Sequence, residues 1–221
     1  SGFFGIFIYR AFYLPLQKRK SSNVVLLIAS VGILILFENL IILFFGPNVK
    51  TITSSLTNNL GYSAFSITPL QIIIILTSVI LLILLYLLMK KTRIGRNMRA
   101  ISDNKELASI IGIDYVKVSY YSFFIGSLLA GVAGIFIAME QTLEPTIGTT
   151  LIVKGFTGSI IGGITSVPGS IFGSYLLGIV ENFGIWYLPS GYKDAIAFVL
   201  LFIFLLFKPH GILGINKGIK K

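Results

Sequence analysis

Two acidic residues stand inside long apolar stretches of the sequence, and each is followed directly by an asparagine. Glu38-Asn39 lies in the run LFENLI, and Glu181-Asn182 lies in the run IVENFG. An Asp inside a membrane helix costs about 2.5 kcal/mol or more, so buried carboxylates normally face a bundle interior or water. These residues are therefore the first candidates for a polar pathway. The alternative stays equally open, in which each carboxyl is protonated or bonds to the backbone of a neighbouring helix.

Catalytic and metal-binding side chains are scarce elsewhere in the sequence. Cysteine is absent, and the single histidine, His210, lies near the C-terminal end. These counts exclude disulfides, thiolate metal sites and a Ser-His triad within the apolar runs. The sequence also has no Gly-Lys-Ser/Thr phosphate loop and no Asp-x-x-Asp cluster. We predict no catalytic residue, no metal site and no cofactor bound by this chain.

Composition places the chain in a membrane. Hydrophobic residues make up 55% of the 221 residues and charged residues 12%. Several apolar runs approach the ~20 residues that cross a bilayer as a helix. The net charge of +10 comes from basic residues in short loops beside these runs. Such a distribution indicates membrane orientation and not nucleic-acid binding.

The apolar runs predict an all-α, polytopic transmembrane helix bundle with about six full spans and a partial span at the N-terminus. The partial run, 2–14, ends at Pro15 and the basic residues that follow it. Full spans are predicted at 24–45, 70–89, 118–139, 151–166, 169–188 and 194–207. The run 151–166 is short and rich in glycine, so a re-entrant segment there is an open alternative. The chain starts without Met inside an apolar run, and we interpret 1–221 as a single membrane domain that lacks its N-terminal helices.

Basic residues also predict the orientation of the bundle. Most of the 18 Lys and Arg residues fall in the loops 9–22 and 90–117 and in the tail 208–221. With alternating spans these three segments lie on one side, and cytoplasmic loops collect Lys and Arg. We therefore predict that the loop 90–117 and the C-terminus are cytoplasmic, in a multi-pass protein of the cell membrane.

The loop 90–117 contains a short segment with its own helix signals. Asp103 is predicted to cap the first turn, with Glu106 reaching back as in a capping box, and Gly112 supplies the left-handed stop. A helix over about 104–111 places Leu107, Ile110 and Ile111 on one apolar face. We expect this face to lie along a surface or in a groove of another protein. Its alternative is an amphipathic helix resting on lipid headgroups.

Small residues recur at four-residue spacing in the C-terminal half, as expected where membrane helices pack closely. The packing positions predicted from this pattern are Gly126, Ala130, Gly134, Gly158, Gly173 and Gly178. A second interpretation concerns Gly162-Gly163 and the segment 167–169, which could unwind and expose backbone polar groups to a pathway, as broken helices do in transporters. Gly162 and Gly163 therefore join the pathway candidates.

Longer motifs resemble one family over nearly the whole chain. They are GRNMRAISDNKELASIIGID (95–114), GSLLAGVAGIF (126–136), PTIG (145–148), KGFTGSIIGGITSVPGSIFGSYLLGIVE (154–181), YKD (192–194) and KPHGILG (208–214). Together these segments resemble the branched-chain amino-acid ABC transporter permeases, and the spacing is most similar to their LivH-type subunit. Within the first segment, Glu106-Leu107-Ala108 followed by Gly112 resembles the EAA-x-x-x-G motif of the cytoplasmic coupling loop, with Leu107 departing from the usual residue.

The resemblance implies a role for the loop 90–117 and a set of partners. Asp103, Glu106, Leu107, Ala108, Ile111 and Gly112 would couple the chain to an ATPase. The implied partners are a second, homologous permease subunit, two cytoplasmic ATPase subunits that hold ATP and Mg, and an extracytoplasmic substrate-binding protein. The implied substrate is leucine, isoleucine or valine, with urea, amides or other small polar solutes as alternatives. An ion-coupled carrier using Glu38 and Glu181 is a hypothesis of another class.

Overall fold

The computed structural model describes residues 1–19, 21–51, 68–164, 166–187, 189–208 and 211–213. Helices make up nearly all of this part of the chain, which confirms the all-α class. Most of the predicted basic tail 208–221, including His210, lies outside the described residues. Among the described residues, the one extended pairing is an isolated bridge between Lys50 and Leu143.

The helices are, in chain order, α1 (Gly2–Ile8), α2 (Leu14–Lys18), α3 (Asn23–Phe45), α4 (Pro69–Lys91), α5 (Arg93–Asp103), α6 (Lys105–Ile110), α7 (Tyr115–Glu140), α8 (Ile147–Gly162), α9 (Val167–Tyr187) and α10 (Lys193–Phe207). A π-helical turn at Tyr9–Tyr13 joins α1 to α2, and a 3-10 turn at Ser190–Tyr192 precedes α10.

Pro15 does not end the first helical segment, and this part of the prediction was wrong. The chain stays helical from Gly2 to Lys18 because the π-helical turn Tyr9–Tyr13 leads directly into α2. Pro15 lies in the first turn of α2. A proline is tolerated at the start of a helix, and a π-helical turn changes the hydrogen-bond register just before it.

Three helices are long and apolar enough to cross a membrane, Val24–Phe45, Pro69–Lys91 and Tyr115–Glu140. They match the predicted spans 24–45, 70–89 and 118–139. The pair α8 and α9 meets the same criteria only together, with a bend of 116° between them, and would add a fourth span. These counts refer to the described ranges alone. The predicted total of about six full spans and the cytoplasmic C-terminus therefore stay predictions.

Local signals explain where these long helices begin and end. Thr68 starts α4 with a capping box, in which its hydroxyl accepts a bond from Gln71 N and the Gln71 side chain accepts one from Thr68 N. α3 ends at Gly46, whose φ of 81° is the left-handed conformation that glycine adopts at low cost. Asp114 caps α7, and backbone N–H donors from Lys117 and Val116 hold the pKa of its carboxyl below the ordinary value.

The chain divides into two compact groups, Ser1–Pro145 and Thr146–Lys221. In the first group α1 lies along α7, and Tyr9 is fully buried at this contact. Its ring centroid lies 4.7 Å from that of Tyr120 and 4.9 Å from that of Phe123. Aromatic packing therefore fixes the N-terminal helix on α7.

In the second group α8 and α9 pack through glycine, and α10 covers one side of the pair. Ile161, Leu177 and Ala197 form the buried apolar cluster, with one residue from each helix. A Cβ atom on Gly173 would meet the carbonyl oxygen of Gly158, and one on Gly162 would meet the carbonyl oxygen of Gly169. Backbone therefore touches backbone at this interface, as in membrane helices that pack through small residues.

Candidate functional site

The segment predicted to couple the chain to a partner folds as the short helix α6 between α5 and α7. Its N-cap is Asn104, whose side-chain oxygen accepts bonds from the backbone N–H of Glu106 and Leu107 at 2.9 and 3.1 Å. The prediction that Asp103 is the cap was wrong, because α5 runs on through Asp103 and leaves Asn104 as the first extended residue. Asparagine caps as well as aspartate does.

The predicted stop at Gly112 is confirmed. Gly112 has φ 83°, and the N–H of Ile113 donates to the carbonyl of Ala108 at 3.0 Å. The N–H of Gly112 itself donates to the carbonyl of Ser109 at 3.1 Å. These two bonds form a Schellman motif, which ends a helix with a residue in the left-handed region. The local sequence therefore fixes both the length of α6 and the direction in which the chain leaves it.

The apolar face of α6 points away from the rest of its group. Leu107, Ile110 and Ile111 are 60%, 77% and 73% exposed, whereas Ala108 is buried. The predicted grouping of the three large apolar residues is thus present as an uncovered surface, which we call the α6 face. Large apolar residues grouped on a surface mark a site of contact with another protein or with a membrane.

A line of polar contacts ties α6 to the helices behind it. The ammonium group of Lys105 lies over the ring of Tyr115 at the start of α7, 3.7 Å from its centroid. The Tyr115 hydroxyl accepts a 3.0 Å bond from Gln17 Nε2, and the side-chain oxygen Oε1 of Gln17 accepts a 2.9 Å bond from the Tyr9 hydroxyl. These contacts therefore connect α6 to α7 and to the N-terminal helix.

A set of charged side chains lies together in the C-terminal group and was not predicted as a set from the sequence. Lys154 of α8 lies between two carboxylates, with Nζ 3.3 Å from Glu181 Oε2 and 3.0 Å from Asp194 Oδ1. Glu181 belongs to α9 and is 5% exposed, and Asp194 lies in the first turn of α10. We call these residues the Lys154 cluster. The sequence contained one indication of this cluster, because a lysine within an apolar helix is normally paired with an acidic residue.

The two Glu-Asn pairs differ in their surroundings but share one feature. Asn39 Nδ2 donates to the carbonyl of Ile35, and Asn182 Nδ2 donates to the carbonyl of Gly178, both at 2.8 Å. Each asparagine thus satisfies a donor within its own helix. Glu181 is paired with Lys154, whereas Glu38 lies partly buried in the N-terminal group.

At the break between α8 and α9, backbone groups are hydrogen-bonded by a later segment of the same chain. α8 ends at Gly162, and Gly163 has φ 109°. The carbonyl oxygens of Ile161 and Gly162 accept bonds from the backbone N–H of Ile212 and Leu213 at 2.9 and 3.0 Å. Two of the carbonyl groups freed at the end of α8 are therefore satisfied by the residues that follow α10.

The predicted packing glycines fall into two classes. Gly158 and Gly173 lie in the α8–α9 interface, where a Cβ atom would collide with the opposite helix. Gly126, Gly134 and Gly178 have no described atom within 4 Å of such a Cβ, and Ala130 is exposed. The packing role of this second class stays a prediction.

These features define a multi-pass helical membrane protein with an uncovered apolar helix and a charged cluster among its glycine-packed helices. The family model for the "Branched-chain amino acid transport system / permease component" matches residues 1–205. The chain belongs to this family of transport permease components, which is not a family of enzymes, and it is a multi-pass inner-membrane protein.

Individual relatives agree with the family assignment. The chain is 34% identical over 217 residues to the high-affinity branched-chain amino acid transport system permease protein BraD of Pseudomonas aeruginosa, covering 96% of this chain and 70% of the relative. It is 33% identical over 217 residues to LivH of Escherichia coli, with the same coverage. A probable LivH of Methanocaldococcus jannaschii is 31% identical over 213 residues, covering 91% and 68%. No solved structure matches the chain.

Proposed function

We propose that this chain is the membrane-spanning permease subunit of an ATP-binding-cassette importer that carries leucine, isoleucine, valine or related amino acids into the cytoplasm. The observation that supports the proposal most strongly is the family match along residues 1–205. The α6 face adds a physical reason, because an uncovered apolar helix beside the membrane spans suits a partner that supplies energy from outside the bilayer.

The partners in this proposal are a second permease subunit, two cytoplasmic ATPase subunits and an extracytoplasmic substrate-binding protein. ATP and Mg are held by the ATPase subunits, and this chain binds neither. The full bundle has about six spans in this chain, with α6 and the C-terminus in the cytoplasm. The basic residues of the loop 90–117 favour that side.

In the proposed mechanism α6 seats in a groove of an ATPase subunit. Leu107 and Ile111 contact the groove together with Ile110, and burial of each apolar side chain contributes about 1.5–3 kcal/mol. Glu106 and Ala108 complete the coupling helix, Asn104 and Gly112 set where it starts and stops, and Asp103 ends α5 just before it. Closure of the ATPase subunits then displaces α6. The Lys105–Tyr115 and Tyr115–Gln17 contacts transmit this displacement to α7 and the N-terminal helix.

The solute pathway in this proposal is lined in part by Glu38, Asn39, Gly162, Gly163, Glu181 and Asn182. Of these, Glu181 has the surroundings of a functional carboxylate, since its Oε1 atom is buried without a hydrogen-bond partner among the described residues. The same observation favours a second candidate function. In that candidate the chain is an ion-coupled carrier, and Glu181 with Glu38 exchanges protons during transport. Urea or amides are the alternative solutes for an ATP-driven importer.

The test separates these two functions by their energy source. The chain is reconstituted with its ATPase and permease partners in proteoliposomes, and uptake of radiolabelled leucine is followed in the presence of the binding protein. We expect uptake to require ATP on the ATPase side and to persist when a protonophore removes the proton gradient. Uptake that collapses with the gradient at constant ATP would show a secondary carrier instead.

A further inference from the structure

The Lys154 cluster carries more negative than positive charge, and its three groups are not equally covered. One ammonium group lies between two carboxylates, at 3.3 Å from Glu181 and 3.0 Å from Asp194. The Glu181 side chain is 6% exposed, that of Lys154 is 25% exposed and that of Asp194 is 60% exposed. Glu181 therefore holds Lys154 from the buried side, while Lys154 and Asp194 face an accessible space.

Both accessible groups retain hydrogen-bonding capacity. A lysine ammonium has three N–H donors, and two of them are directed at Glu181 and Asp194. Within the described part of the chain, the third donor remains for an anionic ligand group. The ion pair of Asp194 is made through Oδ1, so in the same part of the chain Oδ2 remains as an acceptor for a cationic ligand group. The pair thus offers one positive and one negative contact side by side.

A small cavity of about 170 Å³ lies against these two groups. Lys154 and Asp194 line it together with apolar side chains of Val153, Ala197 and Phe198 and the hydroxyl-bearing Thr150. Its volume is below the ~300–1,000 Å³ typical of sites for drug-sized molecules, so it suits a smaller ligand. The cavity therefore combines opposite charges at one wall with an apolar wall beside them.

We propose that this cavity binds the zwitterionic headgroup of an α-amino acid. The ligand carboxylate accepts a bond from Lys154 Nζ, and the ligand ammonium donates to Asp194 Oδ2. An aliphatic side chain then rests on Val153 and Phe198. The excess negative charge of the cluster favours a ligand that brings its own ammonium group and disfavours a simple carboxylate. This inference rests on the proposed function, since it concerns the solute of the same transporter.

The absence of cysteine gives a direct test on the assembled complex. A single thiol is introduced by Thr150→Cys, at an exposed position of the cavity wall. The rate of labelling by a water-soluble thiol reagent is measured with and without leucine, in the absence of the binding protein. We expect saturating leucine to slow labelling at least fivefold. 4-Methylpentanoate, which lacks the ammonium group, and 3-methylbutylamine, which lacks the carboxylate, should not protect the thiol.

Two further variants separate ligand binding from a structural ion pair. With Asp194→Asn added, half-protection should require at least ten times more leucine, and Asp194→Glu should restore most of the affinity. A thiol placed by Tyr187→Cys, on the exposed end of α9, is the control and should label at the same rate with and without leucine. If Thr150→Cys does not assemble, Phe198→Cys reports on the same cavity.

The inference is overturned if leucine leaves the labelling rate unchanged, if both analogues protect as well as leucine does, or if Asp194→Asn does not change the leucine requirement. Failure of the proposed function has a different signature. In that case the unmodified complex shows no ATP-driven uptake of any branched-chain amino acid. If the unmodified complex takes up leucine but leucine does not protect the Thr150→Cys thiol, this site is rejected and the proposed function stands.

Discussion

Replacing Gly173 by alanine should sharply reduce the stability of the C-terminal group, whereas the same change at Gly178 should not. At Gly173 a Cβ atom would meet the carbonyl oxygen of Gly158 and the backbone nitrogen of Gly162, with the Gly162 Cα at 2.7 Å. These atoms belong to the backbone of α8 and cannot turn aside as a side chain can. The helices must separate, and overpacking of this kind typically costs about 1–3 kcal/mol.

Gly178 is a matched control because it lies on the same helix and no described atom lies within 4 Å of its added Cβ. Alanine there removes only the flexibility of glycine in a helix and should stabilise α9 by about 0.5–1 kcal/mol. Thermal unfolding midpoints and the monodisperse fraction in detergent measure both effects. Equal midpoints for the two variants would contradict the close contact between α8 and α9.

Replacing Ile110 by aspartate should lower leucine uptake by the assembled transporter at least tenfold while the chain itself stays folded. Ile110 is 77% exposed, so the substitution disturbs little packing among the described residues. In the complex the same side chain is proposed to lie in a groove of the ATPase subunit. Loss of its burial removes about 1.5–3 kcal/mol, and a carboxylate placed against an apolar groove adds a desolvation cost. Each 1.4 kcal/mol corresponds to a factor of ten in affinity.

Ser109→Asp is the control for this prediction. Ser109 is the preceding residue of α6, is also exposed, and receives the same charge on a different side of the helix. Its hydroxyl bonds only to the carbonyl of Glu106, at 2.7 Å, among the contacts described. We expect uptake by this variant to stay within twofold of the unmodified complex. A similar loss for both variants would show that the charge, and not the α6 face, is responsible.

The sequence was most informative where local signals decide the structure. The three long apolar runs became α3, α4 and α7 because helices in a membrane must satisfy their own backbone groups. Gly112 stopped α6 as predicted, because only glycine adopts its positive φ at low cost. At the other end Asp103 was the predicted cap. Asn104 caps α6 instead, because α5 continues through Asp103.

The sequence was less informative where distant residues meet. Gly158 and Gly126 both belong to rows of small residues spaced four apart, yet only Gly158 has a helix against it among the described residues. Such a row shows that a helix can pack closely, but it does not show which helix packs against it. In the same way Lys154 and Glu181 each lie in an apolar run, and neither run shows that the two residues meet. Their pairing depends on the register of α8 against α9, and Asp194 joins them only through the position of α10.

Energy is proposed to enter this chain through the α6 face, and labelling of a single thiol on that face provides the test. The thiol introduced by Ile110→Cys is the only one in the chain, since the sequence contains no cysteine. We expect fast labelling in the isolated chain and labelling at least tenfold slower once the ATPase subunit has assembled. A thiol from Ser109→Cys should change much less. Equal labelling of the Ile110→Cys thiol before and after assembly would show that the ATPase subunit does not cover the α6 face.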